Sequence, residues 1–90
     1  MNIQHDTKAL KFFVTLGMEE AVLNYNLEGN AVEFYHTFVP SSARGKGIAE
    51  RMVKAGFEYA RTKKLKVIPT CPYISGAFLS LYPEYRSFVT

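Results

Sequence analysis

The chain has 90 residues, 48% hydrophobic and 21% charged, with seven Phe, six Tyr and no Trp, a balance that builds one packed core and leaves no length for a second module. A formal net charge of +3 mildly favours an anionic ligand but falls short of the dense basic patch that a nucleic-acid footprint needs. One cysteine, Cys71, excludes an internal disulfide, and with only His5 and His36 beside it no zinc-type spacing exists, so no metal site is expected.

The longest apolar run is a few residues, and the first residues lack the basic, apolar, small-residue order of a signal peptide. The expectation is a cytoplasmic protein with no membrane contact, a single domain over residues 1–90. Residues 1–8 are polar and without period, so they are expected to be disordered or irregular.

"LKFFVTL", Leu10 to Leu16, has the aromatic and β-branched content of a strand and is closed by Gly17. The next segment alternates, with Ala21, Leu23, Tyr25 and Leu27 against Glu20, Val22, Asn24 and Asn26, and it ends at the turn pair Gly29-Asn30. "AVEFYHTFVP", Ala31 to Pro40, reads as a third strand, with Val32, Phe34, His36 and Phe38 on one face and Glu33, Tyr35, Thr37 and Val39 on the other. Both faces are partly apolar, which suits a central strand.

After Pro40 the period changes to that of a helix. Ile48, Met52, Val53, Gly56 and Ala60 fall on one side and Glu50, Lys54, Glu58 and Arg61 on the other, predicting a helix from about Lys46 to Lys63. "LKVIPTC", Leu65 to Cys71, is a short fourth strand whose Pro69 cannot donate to a ladder, so it lies at an edge or where strands diverge. Ile74, Phe78, Leu81 and Tyr82 are at helical spacing before Pro83, and "RSFVT" can add a last short strand. The order is β-β-β-α-β-α, an α/β chain of the α+β kind: a mixed, mostly antiparallel sheet with helices packed on it.

The junction between the third strand and the helix, "SSARGKGIAERM", is the chemically distinctive stretch. Helix-opening backbone amides, the positive end of the helix dipole and two cations, Arg44 and Lys46, converge on one small volume suited to a diphosphate. Gly45 and Gly47 let the backbone approach such a ligand, and Ala49 keeps the first turn slim. The alternative is an exposed turn with solvated charges. The spacing fits neither the Walker loop nor the dinucleotide fingerprint.

"RGKGIA", Arg44 to Ala49, resembles the Arg/Gln-x-x-Gly-x-Gly/Ala signature of the GNAT acyltransferase superfamily. His36 to Ile74 is similar to the short single-domain branch of that superfamily, which carries a comparable His-Thr-x-Val-Pro strand end and a cysteine after the fourth strand. The resemblance implies a minimal GNAT-like fold that transfers an acetyl group from acetyl-CoA to an amine of a small molecule or protein. It implies that Arg44, Gly45, Lys46, Gly47, Ile48 and Ala49 contact the pyrophosphate. Val39 would lend backbone groups to the pantetheine arm, which lies in the gap between the third and fourth predicted strands.

Cys71 would lie at the thioester, where it can take the acetyl group or protonate the leaving thiolate; the plain alternative is a buried small hydrophobe. His36 is the candidate base or activator of Cys71, or a hydrogen-bonded core histidine. Tyr82 stands roughly where larger relatives place a tyrosine acid, or it simply packs. Lys63, Lys64 and Lys66 suit the helix end and would reach a 3′-phosphate of coenzyme A only if the fold brings them round. Phe38 stands where the short branch often has an acidic residue, and the N-terminal helices that shape an acceptor site in longer relatives have no counterpart. The second expectation is therefore a coenzyme A-binding module without turnover. A single-strand nucleic-acid reader on "VEFYHTFV" is disfavoured by Glu33 and the absence of Lys or Arg. A monomer or weak dimer is expected.

Overall fold

In a computed structural model describing residues 2–90, five strands form one sheet in chain order: β1 (Gln4–Asp6), β2 (Lys11–Leu16), β3 (Glu19–Glu28), β4 (Ala31–Phe38) and β5 (Lys66–Ile68). The first four pair antiparallel and β5 joins β4 in parallel. That parallel step needs a crossover, and α1 (Ile48–Lys63) provides it. The α+β class and the mixed, mostly antiparallel sheet agree with the sequence reading.

Alternation decides which face is buried. Phe12 and Val14 of β2, Ala21, Leu23 and Tyr25 of β3, and Val32 and Phe34 of β4 all lie in the core, each set at the two-residue period of a strand. Against them α1 lays Met52, Val53, Gly56, Phe57 and Ala60. Gly56 sets the closeness of this contact: a Cβ there would stand 2.8 Å from Phe34 Cζ and 3.2 Å from Leu23 Cδ2. The helix ends at Lys64, which turns left-handed (φ 58°), while Leu65 N–H donates to Ala60 O at 2.8 Å.

Several expectations need correction. Residues 4–6, expected to be irregular, form β1, with Gln4 opposite Phe13 and His5 opposite Phe12; three residues are too few to show a period. The helix begins at Ile48 and not Lys46, because Gly45 and Gly47 hold positive φ angles of 81° and 78°. The strand expected over Leu65 to Cys71 pairs only over Lys66–Ile68, immediately before Pro69. Beyond it a π-helical stretch (Ile74–Phe78) runs into the single turn α2 (Leu79–Leu81), followed by a 3₁₀ segment (Pro83–Phe88). The final strand shrinks to one parallel bridge between Val67 and Val89.

The correction that matters most for chemistry lies in β4. Tyr25 pairs with Phe34 and Asn24 with His36, so Tyr35 is an extra residue and a bulge interrupts the ladder. One additional residue exchanges the faces of everything after it. Thr37, opposite the buried Leu23, takes the inner side, whereas His36 and Phe38 turn outward with Asn24 and Val22. His36 and Phe38 therefore do not share a face with Val32 and Phe34.

Candidate active site

The site begins where β4 and β5 part. Their ladder covers Ala31, Val32 and Glu33 against Lys66, Val67 and Ile68, and one further bond follows, from Cys71 N–H to Phe34 O at 2.9 Å. Pro69 has no N–H to contribute, so the ladder loses little by ending there. Cys71 then opens the turn that leads into the π-helical stretch, its carbonyl accepting from Ile74 and Ser75 N–H at 3.0 and 3.1 Å. Past the bond from Cys71 to Phe34 the two strands are unpaired, and the wedge where they part lies beside the last four residues of β4.

At that point Cys71 is 4% exposed and its Sγ lies 3.3 Å from Thr37 Oγ1. Cys71 and Thr37 are thus brought together. His36, the candidate activator, is exposed on the opposite face of the sheet and does not join them.

The loop after β4 is held by its own backbone. Pro40 is buried, Ala43 N–H donates to Pro40 O at 2.9 Å, and Arg44 Nε donates to Val39 O at 3.0 Å. Gly47 is the N-cap of α1 in the left-handed region, and no side chain caps the helix. The first-turn amides keep their donor capacity, since Gly47 has no side-chain oxygen to offer them. A Cβ on Gly45 or Gly47 would meet nothing within 4 Å; glycine is required there by φ and not by crowding.

A cavity of about 240 Å³ opens over this loop. Six of the seven residues expected to hold a cofactor, Val39, Arg44, Gly45, Gly47, Ile48 and Ala49, line it, and Lys46 stands exposed beside it. Three further lining residues were not anticipated, Ala43, Glu50 and Tyr73. Glu50 carried a signal, its place in the first turn of the helix; Tyr73 carried none. Burial pushes the Tyr73 phenol up first, and Glu50, Tyr82 and Cys71 add to the rise, so it stays protonated at neutral pH.

Tyr82 comes to the same region from the far end of the chain. Its hydroxyl donates to the Glu50 carboxylate, and Lys54 Nζ sits 4.0 Å from the centre of its ring. The basic residues at the other end of α1 do not approach the loop. Lys64 and Lys66, with Arg61, rim a separate cavity of about 270 Å³, roughly 24 Å away along sixteen helical residues.

Comparison with known proteins identifies the family and the fold. A sequence profile described as GCN5-related N-acetyl-transferase matches residues 11–88. Protein NATD1 of Xenopus tropicalis is 38% identical over 77 residues, which cover 82% of this chain and 71% of that protein. NATD1 of Homo sapiens is 36% identical over 77 residues, covering 82% and 68%. Among solved structures, the NMR solution structure of a GCN5-like protein from Staphylococcus aureus superposes with a TM-score of 0.76 at 24% identity, covering 99% of this chain and 87% of that one, a likeness of fold. The wedge between β4 and β5, the glycine turn at the head of α1 and the profile match over most of the chain converge: the chain belongs to the GCN5-related N-acetyltransferase family.

Proposed function

We propose that the chain is an acetyl-CoA-dependent N-acetyltransferase, with the pyrophosphate held at Arg44 to Ala49 and the acyl end in the wedge beside Cys71. The observation that carries this reading is the meeting of six expected residues around one cavity at an uncapped helix start. Uncapped amides, two nearby cations and glycines free to take positive φ fit a dianionic diphosphate. Acetyl-CoA supplies an activated thioester when bound.

The chain's own residues divide the remaining work. The loop fixes the diphosphate, and the tether from Arg44 Nε to Val39 O keeps loop and strand end in one geometry. Thr37 and Cys71 lie together where β4 and β5 part, beside the apolar core. Cys71 lines the wedge there and the acceptor amine attacks directly: the thiol is nearly buried, and its side-chain partner is a neutral hydroxyl, which is no proton acceptor strong enough to make a thiolate. His36 has no part in the step, being on the outer face.

The same facts favour one second reading, coenzyme A binding without turnover, since neither His36 nor a carboxylate at Phe38 serves as a base in the wedge. One experiment addresses both. Calorimetric titration with coenzyme A and with pantetheine should give tighter binding of the whole cofactor by about tenfold or more; equal affinity removes the diphosphate site. Release of free coenzyme A thiol from acetyl-CoA, measured across a panel of primary amines and polyamines, then separates enzyme from binding module.

A further inference from the structure

We propose that Tyr82 is a positioning residue that keeps the phosphate loop open by holding the Glu50 carboxylate away from the amides of α1. The proposal rests on the diphosphate reading above and adds to it a competitor within the chain.

Glu50 is the third helical residue counted from the N-cap Gly47. A glutamate at that position ordinarily reaches back to the N-cap N–H, and the helix dipole favours a carboxylate in the first turn. In this chain that conformation would put a tethered anion onto the amides a diphosphate needs. Glu50 lines the same cavity as Gly45 and Gly47, so no barrier separates it from them.

The carboxylate is directed elsewhere. No side chain caps α1, and Glu50 accepts from the Tyr82 hydroxyl. Tyr82 is itself fixed on three sides: its N–H donates to Phe78 O at 2.9 Å, its ring lies 5.1 Å from that of Phe78, and Lys54 Nζ covers it at 4.0 Å. A fixed phenol thus engages an acidic side chain that would otherwise be free to cap the helix-opening amides. Because the hydroxyl is committed to Glu50, its role is to place that carboxylate.

The test compares Tyr82→Phe, Glu50→Ala and the double variant. Coenzyme A affinity, measured by calorimetry, should fall about three- to tenfold in Tyr82→Phe, the range expected when a capping carboxylate competes for the amides. Glu50→Ala should bind at least as well as the parent, and the double variant should match Glu50→Ala. An equal loss from Tyr82→Phe with and without Glu50 would mean that Tyr82 acts only as packing and would overturn the proposal; so would no loss at all. A ligand-free readout keeps it separate from the diphosphate site. In Tyr82→Phe the ¹⁵N–¹H signal of Gly47 should move when Glu50→Ala is added, because the capping carboxylate is then removed, and in the parent it should not. A Gly47 signal that responds equally in both proteins overturns the proposal whatever coenzyme A does, whereas failure of the parent to bind coenzyme A overturns only the cofactor reading.

Discussion

Thr37 Oγ1 and Cys71 Sγ lie 3.3 Å apart at the base of the wedge between β4 and β5, and the bulge at Tyr35 is what makes them neighbours. Without the extra residue, His36 would face the core and Thr37 would face solvent.

This pairing sets the first prediction. A thiol 4% exposed, bonded to a neutral hydroxyl, should react slowly with iodoacetamide in the folded protein and rapidly in denaturant. Replacing His36 by Ala should leave the folded rate unchanged, because the imidazole is on the other side of the sheet. A clear drop in labelling of His36→Ala, followed by intact mass, would restore the histidine as an activator.

The second prediction concerns Arg44, whose Nε is tied to Val39 O at 3.0 Å while the rest of its guanidinium is exposed. Arg44→Gln should weaken coenzyme A by roughly tenfold, the scale of one charge-assisted contact at a partly solvated site. It should also flatten the salt dependence of binding. Pantetheine, which lacks the phosphates, should bind both proteins alike; an equal loss for pantetheine would assign Arg44 to loop architecture alone.

The division between what the chain displays and what it hides follows from the range of each interaction. β2, β3 and α1 declare themselves because their periods repeat over six, ten and sixteen residues. The loop residues from Arg44 to Ala49 are contiguous, so their convergence on one cavity is legible too. The bulge is not, since it exists only in the register of β4 against β3, and an uninterrupted alternation places His36 on the wrong face. Tyr82 and Glu50 are 32 positions apart, and nothing local marks either as the other's partner. β1 has three residues, too few for a period, and the partners of its His5, namely Phe12, Tyr25 and Tyr59, lie at positions that nothing local marks.

The third prediction tests packing. A Cβ at Gly56 would stand 2.8 Å from Phe34 Cζ, and that ring is confined by Tyr25 and Phe57, with centroids 6.2 and 6.0 Å away. Gly56→Ala gains about 1 kcal/mol of helix propensity but meets an overpacking cost in the upper part of about 1–3 kcal/mol, so a net loss of roughly 1–2 kcal/mol is expected. Gly76 is the control: a Cβ there meets nothing within 4 Å, and its φ is not positive. Urea denaturation should show Gly56→Ala destabilised and Gly76→Ala not.

The last prediction concerns the edge strand and its pH dependence. His5 Nε2 lies 2.6 Å from the Tyr25 hydroxyl, and its ring stacks on Phe12 at 4.0 Å and meets the edge of Tyr59 at 4.7 Å. Burial, with Tyr59 next to it, pushes the Tyr25 phenol up to about 12, so Tyr25 remains a donor and the neutral imidazole accepts. Burial also holds the His5 imidazole below its ordinary value, a fall that Asp6 opposes in part. The sign follows from linkage: the unfolded chain, with an ordinary histidine near 6.5, binds the proton more readily than the folded one. The stabilising contribution is fully present above about 6.5 and is lost as pH falls through the depressed folded value. His5→Gln keeps an acceptor for Tyr25 without titrating in that range. Denaturation midpoints at pH 7.5 and 5.5 should therefore fall further for the parent than for His5→Gln, the exposed His36 and the carboxylates being common to both. Equal slopes would mean that His5 is free to protonate in place, and that β1 is held by its backbone ladder and not by this imidazole.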